Sequence, residues 1–431
     1  MTPAYVLALF TQRDGAVRKP TGVERLYIDF DSFFASAEQH LRPELRRRPV
    51  GIIPLDTPHT GLIAASREAK RHGIRRGLWV REARRLCPGI VIVAARHEQY
   101  VRLHKAIVAA VERVLPVMAV RSIDEMVCAL SPDEQARAVA VARAVKASIA
   151  QRVGPDLTCS AGLGPNELLA KIATEMEKPD GLVILHPADL PGRLLELELT
   201  DIPGIASRNA ARLARAGVKD VAALWDMAGK HARAVFGSVE GERLWASLHG
   251  YAVEAQETAR VMYGHGRVLP HDWRTPEKVH ACARFLAVKA ARRMRREGFA
   301  ARLLSLWFTD RGSAGWFGED SFRPAFDDRT ILESLARLVA AARTGGAPAK
   351  SRSVHVVLHG LVPIGEVPRD LFEGEDDDER RRRFERLSLL ADSLNGRYGR
   401  AVLHLGPLVE PPGGYAGAKI AFGRIPEEAD F

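Results

Sequence analysis

The chain has 431 residues, 46% of them hydrophobic and 27% charged, which is the composition of globular chains and enough length for roughly two to four domains. That excludes a largely disordered, collagen-like or coiled-coil protein. Apolar runs such as Val91–Ala95 and Ala106–Val111 fall far short of the ~20 residues that cross a bilayer. The net charge of +10 is uneven: residues 40–100 carry 13 Lys/Arg against 5 Asp/Glu, and residues 263–360 carry 17 against 9, a pattern suited to gripping a polyanion at two places.

Residues 1–23 read as a leader whose apolar stretch, Ala4–Phe10, has no basic segment before it, so no secretory signal is expected. Arg25–Asp31 is expected as a strand with Tyr27, Asp29 and Asp31 on one face and Ile28 and Phe30 on the other. A helix follows from Ser32. Short strands are expected at Val50–Pro54, Gly61–Ala65 and Ile90–Ala94, with short helices at Arg67–His72 and Val80–Leu86. His97–Leu115 reads as a long amphipathic helix ended by Pro116. Val117–Ser122 and Met126–Leu130 read as strands meeting at Ile123-Asp124-Glu125. Ser131-Pro132-Asp133 opens a helix running to about Val153. A strand at Leu157–Gly162, a helix at Asn166–Glu177 and a strand at Leu182–Leu185 complete an α+β sheet domain, with the basic unit inserted after its first strand and helix.

Leu190–Leu248 changes to short helices joined by glycines, and Glu254–Arg260 reads as a linker. Strands at Gly266–Leu269, Leu303–Thr309, Gly315–Phe317 and Ser353–His359, with helices at Pro276–Glu297 and Arg329–Arg343, suggest a βαββαβ-like unit. The acidic stretch Glu373–Glu379 running into Arg380–Arg383 is expected as a solvated helix with ion pairs one turn apart, and Leu387–Leu390 as a buried helix face. Cys87, Cys128, Cys159 and Cys282 form no C-x-x-C pair, which argues against a structural zinc site or a disulfide framework and fits a reducing cytoplasm.

Three acids stand out: Asp29 in the first strand, and Asp124 and Glu125 at the strand junction. Neighbouring carboxylates repel each other unless a cation sits between them, and a hard divalent ion takes oxygen ligands readily. The main-chain oxygen of Phe30 is a further candidate ligand. Flat-strand geometry sends Asp124 and Glu125 to opposite faces, so joint ligation requires a bend there.

Tyr27–Gln39 (YIDFDSFFASAEQ), Ser122–Glu125 (SIDE) and Ser160–Gly181 (SAGLGPNELLAKIATEMEKPDG) occur in that order. Together they resemble the Y-family lesion-bypass DNA polymerases, in particular the DinB and UmuC branches. The resemblance extends through Glu82–Tyr100, Ile202–Ile205 and Gly266–Pro276, covers roughly residues 24–360, and has a looser match at Leu394–Leu405. It implies a right-handed polymerase: a mixed-sheet palm (24–39 and 97–186), small fingers (40–96), a helix-hairpin-helix thumb (187–253), a linker (254–262), a little finger (263–362) and a C-terminal extension (363–431).

The resemblance places Asp29, Asp124, Glu125 and the Phe30 main-chain oxygen at the family's metal positions, for two Mg²⁺ ions that Mn²⁺ can replace. It puts Phe34 at the steric gate under the incoming sugar, beside Phe33, and Ser66, Arg67, Lys70 and Lys178 near the triphosphate. Many relatives carry Tyr where Arg67 stands and Arg where Lys70 stands, and a guanidinium is not equivalent to an ammonium. Pro203, Gly204 and Ile205 would approach DNA phosphate through main-chain N–H groups. Arg292, Arg293, Arg295 and Arg296, with Lys289, would line further phosphates.

The function implied is addition of dNTPs to a primer 3′-hydroxyl on damaged template DNA, at low fidelity and without proofreading, since no stretch remains for an exonuclease. A monomer in the cytoplasm, away from membranes, is expected. Sliding-clamp or RecA-type partners are family expectations, and Gly423–Phe431 lacks the anchors of a clamp peptide. Two other readings are a non-catalytic DNA-binding scaffold of a mutasome and a template-free nucleotide cyclase. The intact acids count against the first, and the hairpin and basic final domain against the second.

Overall fold

Leu26, Tyr27, Ile28 and Phe30 are buried on both faces of the first strand, β1 (Arg25–Phe30), which makes it a central strand rather than an edge. In this computed structural model, which describes residues 18–54, 56, 58–253, 260–310, 315–348, 350–367, 374–398, 402–407, 409 and 425, the chain falls into two compact units dividing after Gln256. The Ala4–Phe10 stretch, nearly all of the Glu254–Arg260 linker and most of Gly423–Phe431 lie outside the described residues.

In the first unit, β1 turns sharply into helix Phe33–Leu41 through Ser32, whose φ of 53° is left-handed and costs a non-glycine residue energy. A small sheet then forms from β2 (Val50–Ile53), β3 (Ala64–Ala65) and β4 (Val91–Ala94), with β2 in the middle, antiparallel to β3 and parallel to β4. Helices Arg67–Arg71 and Val80–Leu86 accompany it, packed on a core that includes Ile53, Leu62, Ile74 and Ile90.

After helix His97–Glu112 the larger sheet continues with β5 (Val117–Val120), β6 (Glu125–Ala129), β7 (Cys159–Gly164) and β8 (Leu182–Ile184), in the order β5-β6-β1-β7-β8. The single helix expected from Ser131 is two, Pro132–Gln135 and Ala138–Arg152. Helix Glu167–Met176 lies directly on β7: a Cβ on Gly162 would meet the Ala170 carbonyl oxygen at 2.0 Å, so only glycine permits the approach. Short 3₁₀ turns and helices Ser207–Arg215, Val221–Asp226, Gly229–Phe236 and Val239–Leu248 complete the unit.

The second unit is a βαββαβ layer. Its strands are β9 (Met262–Val268), β10 (Phe299–Thr309), β11 (Trp316–Ala325) and β12 (Ser353–His359), ordered β11-β10-β12-β9, with helices Pro276–Arg296 and Asp328–Thr344 packed on a core that includes Leu286, Met294, Leu304, Leu335 and Val356. A further strand pair, β13 (Val362–Pro363) with β10, closes one end. Helix Glu375–Tyr398 carries the expected one-turn ion pairs, such as Arg381–Glu385. The leucine run within it is not buried: Leu387, Leu389 and Leu390 are 44–52% exposed, while Ser388, Ala391 and Asn395 are buried. The Ser388 hydroxyl accepts from the Asp328 main-chain N–H at 3.0 Å, which sets the helix rotation and turns the leucines outward.

Candidate active site

β1 and β6 are antiparallel with Asp29 opposite Glu125, and the Phe30 N–H donates to the Asp124 carbonyl at 2.9 Å. The bend that joint use of Asp124 and Glu125 requires is present, because β6 begins at Glu125 and Asp124 lies in the turn before it. Each acid has its own partner. Lys178 reaches Asp29 at 2.8 Å and Glu175 at 2.6 Å; Ser122 donates to Asp124 at 2.5 Å; Lys171 pairs with Glu125 at 2.6 Å. Lys171 comes from the helix that Gly162 admits onto the sheet, and it also lies 5.3 Å from the Tyr27 ring centre.

Burial raises Asp29 above the ordinary carboxylate range against the pull of Lys178, with Glu175 and Asp124 adding repulsion. Burial also raises Asp124, with Glu125 adding to it while the Ser122 bond and Lys178 oppose. In return, Asp29 and Glu175 raise Lys178 despite its burial. Among the described residues no three His, Cys, Asp or Glu side chains stand in metal-ligating geometry; the ammonium of Lys178 holds the Asp29 carboxylate. The donor set nevertheless suits a hard cation, because a buried acid and a half-buried one under mutual repulsion are short of positive charge.

Asp31, in the turn that directly follows β1, is 4% exposed and accepts four hydrogen bonds: Thr158 Oγ1 and Ser160 Oγ at 2.9 Å, the Asp180 N–H at 2.9 Å and Arg67 Nη2 at 3.1 Å. Phe34 is half-buried and stacks on Tyr100, with ring centres 4.8 Å apart and planes 23° apart. Tyr100 donates to Glu38 at 2.8 Å, and the same fully buried carboxylate takes Arg96 through two bonds at 2.9 and 2.7 Å. Lys70 is exposed at the end of its short helix.

Two of the expected nucleotide contacts are occupied elsewhere. Phe33 is buried edge-on to Phe30, with ring centres 5.9 Å apart. Ser66 is fully buried, and its hydroxyl accepts from Val50 N–H at 3.1 Å and Ala69 N–H at 3.3 Å while donating to the Arg48 carbonyl. It caps a helix and joins it to β2, so it has nothing left to offer a phosphate.

The hairpin differs from expectation in its first arm, a 3₁₀ turn at Leu199–Asp201 rather than a helix. Gly204 has φ 95° with open space where a Cβ would be, and Pro203 is partly exposed. Ile205 is buried and its N–H is spent on the Ile202 carbonyl at 2.9 Å, which removes it as a phosphate donor. In the second unit Arg295 is likewise withdrawn from the expected DNA-facing set: its side chain is 1% exposed and bound to Asp328 and Asp392, both at 2.7 Å. Arg296 is exposed, Arg293 lies 3.2 Å from His265, and Arg292 is partly exposed, 3.9 Å from Asp392.

A strand-borne acid beside two acids at a neighbouring strand junction, flanked by cations, is an arrangement suited to the palm of a nucleotidyl-transferring polymerase. Residues 28–175 match the impB/mucB/samB family and residues 260–371 its C-terminal domain. The chain is 35% identical over 390 residues to the DNA polymerase IV of Moorella thermoacetica, covering 88% of this chain and 94% of that protein. It is 30% identical over 345 residues to the DNA polymerase IV of Alkalilimnicola ehrlichii, covering 79% and 95%. Among solved structures, a Y-family DNA polymerase chimera superposes with TM-score 0.66 at 20% identity, covering 79% of this chain and 99% of that one. A post-insertion binary complex of Dbh DNA polymerase gives 0.54 at 20%, with the same coverage. The chain belongs to the impB/mucB/samB family, the Y-family of DNA polymerases.

Proposed function

We propose that the chain is a DNA-directed DNA polymerase of the translesion type, which joins a dNTP to a primer 3′-hydroxyl on a template strand. The observation that carries this is the Asp29–Glu125 register with Asp124 at the adjoining turn, bordered by Lys178 and Arg67. The five-stranded sheet serves as palm, the three-stranded unit as fingers, the short helices as thumb and the second unit as little finger. No described helix is long and apolar enough to cross a membrane.

Asp29, Asp124, Glu125 and the main-chain oxygen of Phe30 would hold two Mg²⁺ ions, or Mn²⁺, which when bound lower the pKa of the attacking hydroxyl and stabilise the leaving pyrophosphate. Lys178, Arg67 and Lys70 supply charge for the triphosphate. Phe34, braced by Tyr100, fills the space a ribose 2′-hydroxyl would need. Gly204 beside Pro203 lets the main chain approach DNA phosphate, and Arg292, Arg293 and Arg296 line further phosphates, so binding should weaken steeply with salt. Sliding-clamp and RecA-type partners follow from kinship with the family.

Primer extension on undamaged and abasic templates tests the function. Wild type should extend, and Asp124→Ala should lose activity by about three orders of magnitude or more. Retained DNA binding without extension by wild type would favour the mutasome scaffold. Template-free cyclic product would favour the cyclase.

A further inference from the structure

The incoming triphosphate needs cations held in place before it arrives, and the structure shows what aims one of them. Arg67 meets Asp31 through Nη2 at 3.1 Å, and a third of its side chain stays accessible. A guanidinium has five N–H donors in a fixed fork, so one bond to a fixed acceptor orients the rest. That acceptor is firmly placed, because Asp31 is held from β7 by Ser160 and from the loop before it by Thr158.

The same carboxylate accepts the N–H of Asp180, two residues beyond Lys178. Asp180 has a left-handed φ of 61° and is held from the other side by Lys146, which bonds its carbonyl at 2.6 Å and its carboxylate at 2.9 Å. Asp31 therefore ties the short helix bearing Arg67 and the turn bearing Lys178 to one point just past the end of β1, two residues from Asp29.

We propose that Asp31 is a positioning residue for the nucleotide's phosphates, fixing the Arg67 guanidinium in one arrangement without touching the reacting atoms. This rests on the polymerase reading above. Its consequence is selective: nucleotide affinity should depend on Asp31 through Arg67, while turnover and DNA affinity should not.

Single-nucleotide incorporation by the full chain with Asp31→Asn, Arg67→Gln and the double variant is the test, with melting temperature and primer-template affinity measured alongside. Each single variant should raise KM for dNTP by about tenfold, the worth of one charge-assisted hydrogen bond, and leave kcat within about threefold. The double variant should be no worse than Arg67→Gln alone. Should Asp31→Asn not fold, Thr158→Val removes one donor from the carboxylate without touching Arg67, and should raise KM by about threefold with no added effect on the Arg67→Gln background. Multiplying effects, a collapse of kcat, or a lowered melting temperature with KM unmoved would each overturn the inference while leaving the polymerase reading intact. Absence of incorporation by the unaltered chain would instead overturn that reading, and the inference with it.

Discussion

Two cation–carboxylate clusters, one in each unit, use similar residues for opposite ends. In the second unit Arg295 is enclosed, with two carboxylates and the Phe326 carbonyl at 2.7 Å on its guanidinium. In the first, Lys178 spans Asp29 and Glu175 with 28% of its side chain accessible. A buried, fully bonded pair is costly to break from one side, whereas a half-open ammonium can change partners when a more highly charged anion arrives. Enclosure makes the one a fastener; partial exposure leaves the other available for exchange.

That contrast can be broken by substitution. Arg295→Ala strands two carboxylates and should destabilise the protein by about 3–5 kcal/mol in chemical unfolding. A loss below about 1 kcal/mol would mean the cluster fastens nothing. Phe34→Ala, at the half-open end of the first unit, should instead change selectivity: relief of overpacking worth about 1–3 kcal/mol predicts ten- to hundredfold weaker discrimination against ribonucleotides. Incorporation ratios for paired dNTP and rNTP substrates measure it, and an unchanged ratio would remove the gate assignment. Lys178→Ala should raise KM for dNTP by about tenfold while moving stability by less than about 1 kcal/mol. A large stability loss there would erase the distinction between the two clusters.

The smallest effect concerns pH. His249 lies between Trp225 and Trp245, with ring centres 4.0 and 4.1 Å away, and burial lowers its pKa below 6.5, helped by Lys19 and opposed by the bond to the Trp245 carbonyl. The unfolded chain then binds the proton more readily, so this contribution to stability is complete above about pH 6.5 and is lost as pH falls toward the lower folded value. Melting temperatures at pH 7.5 and 5.5 should differ less in His249→Phe than in wild type.

Much of this was legible from sequence because apolar spacing and acid placement coincide. β1, the helix at Val80–Leu86 and β12 follow from pattern alone. β11 extends well beyond the Gly315–Phe317 that the pattern predicts, because Glu319, Asp320, Arg323 and Pro324 make an edge strand look like a loop. Ser66 and Arg295 depart from the sequence expectation for a common reason: a polar side chain near a site or on a basic helix does not reveal whether the fold has already used it. Lys171 is the converse: nothing in its spacing separates it from a surface lysine, and Gly162 is what admits its helix against the sheet. Asp31 carried one signal, its shared face with Asp29, but nothing in the spacing disclosed the four donors that converge on it.

The dependence of the second unit on helix Glu375–Tyr398 bears on how the protein can be shortened. A truncation ending near residue 370, chosen because the family match stops at 371, would remove Asp392 from Arg295 and Ser388 from the Asp328 main chain. Such a fragment would keep every strand of its sheet yet expose a guanidinium that the intact chain conceals. Its weak behaviour in a DNA-binding assay would then report a missing buttress rather than a missing contact.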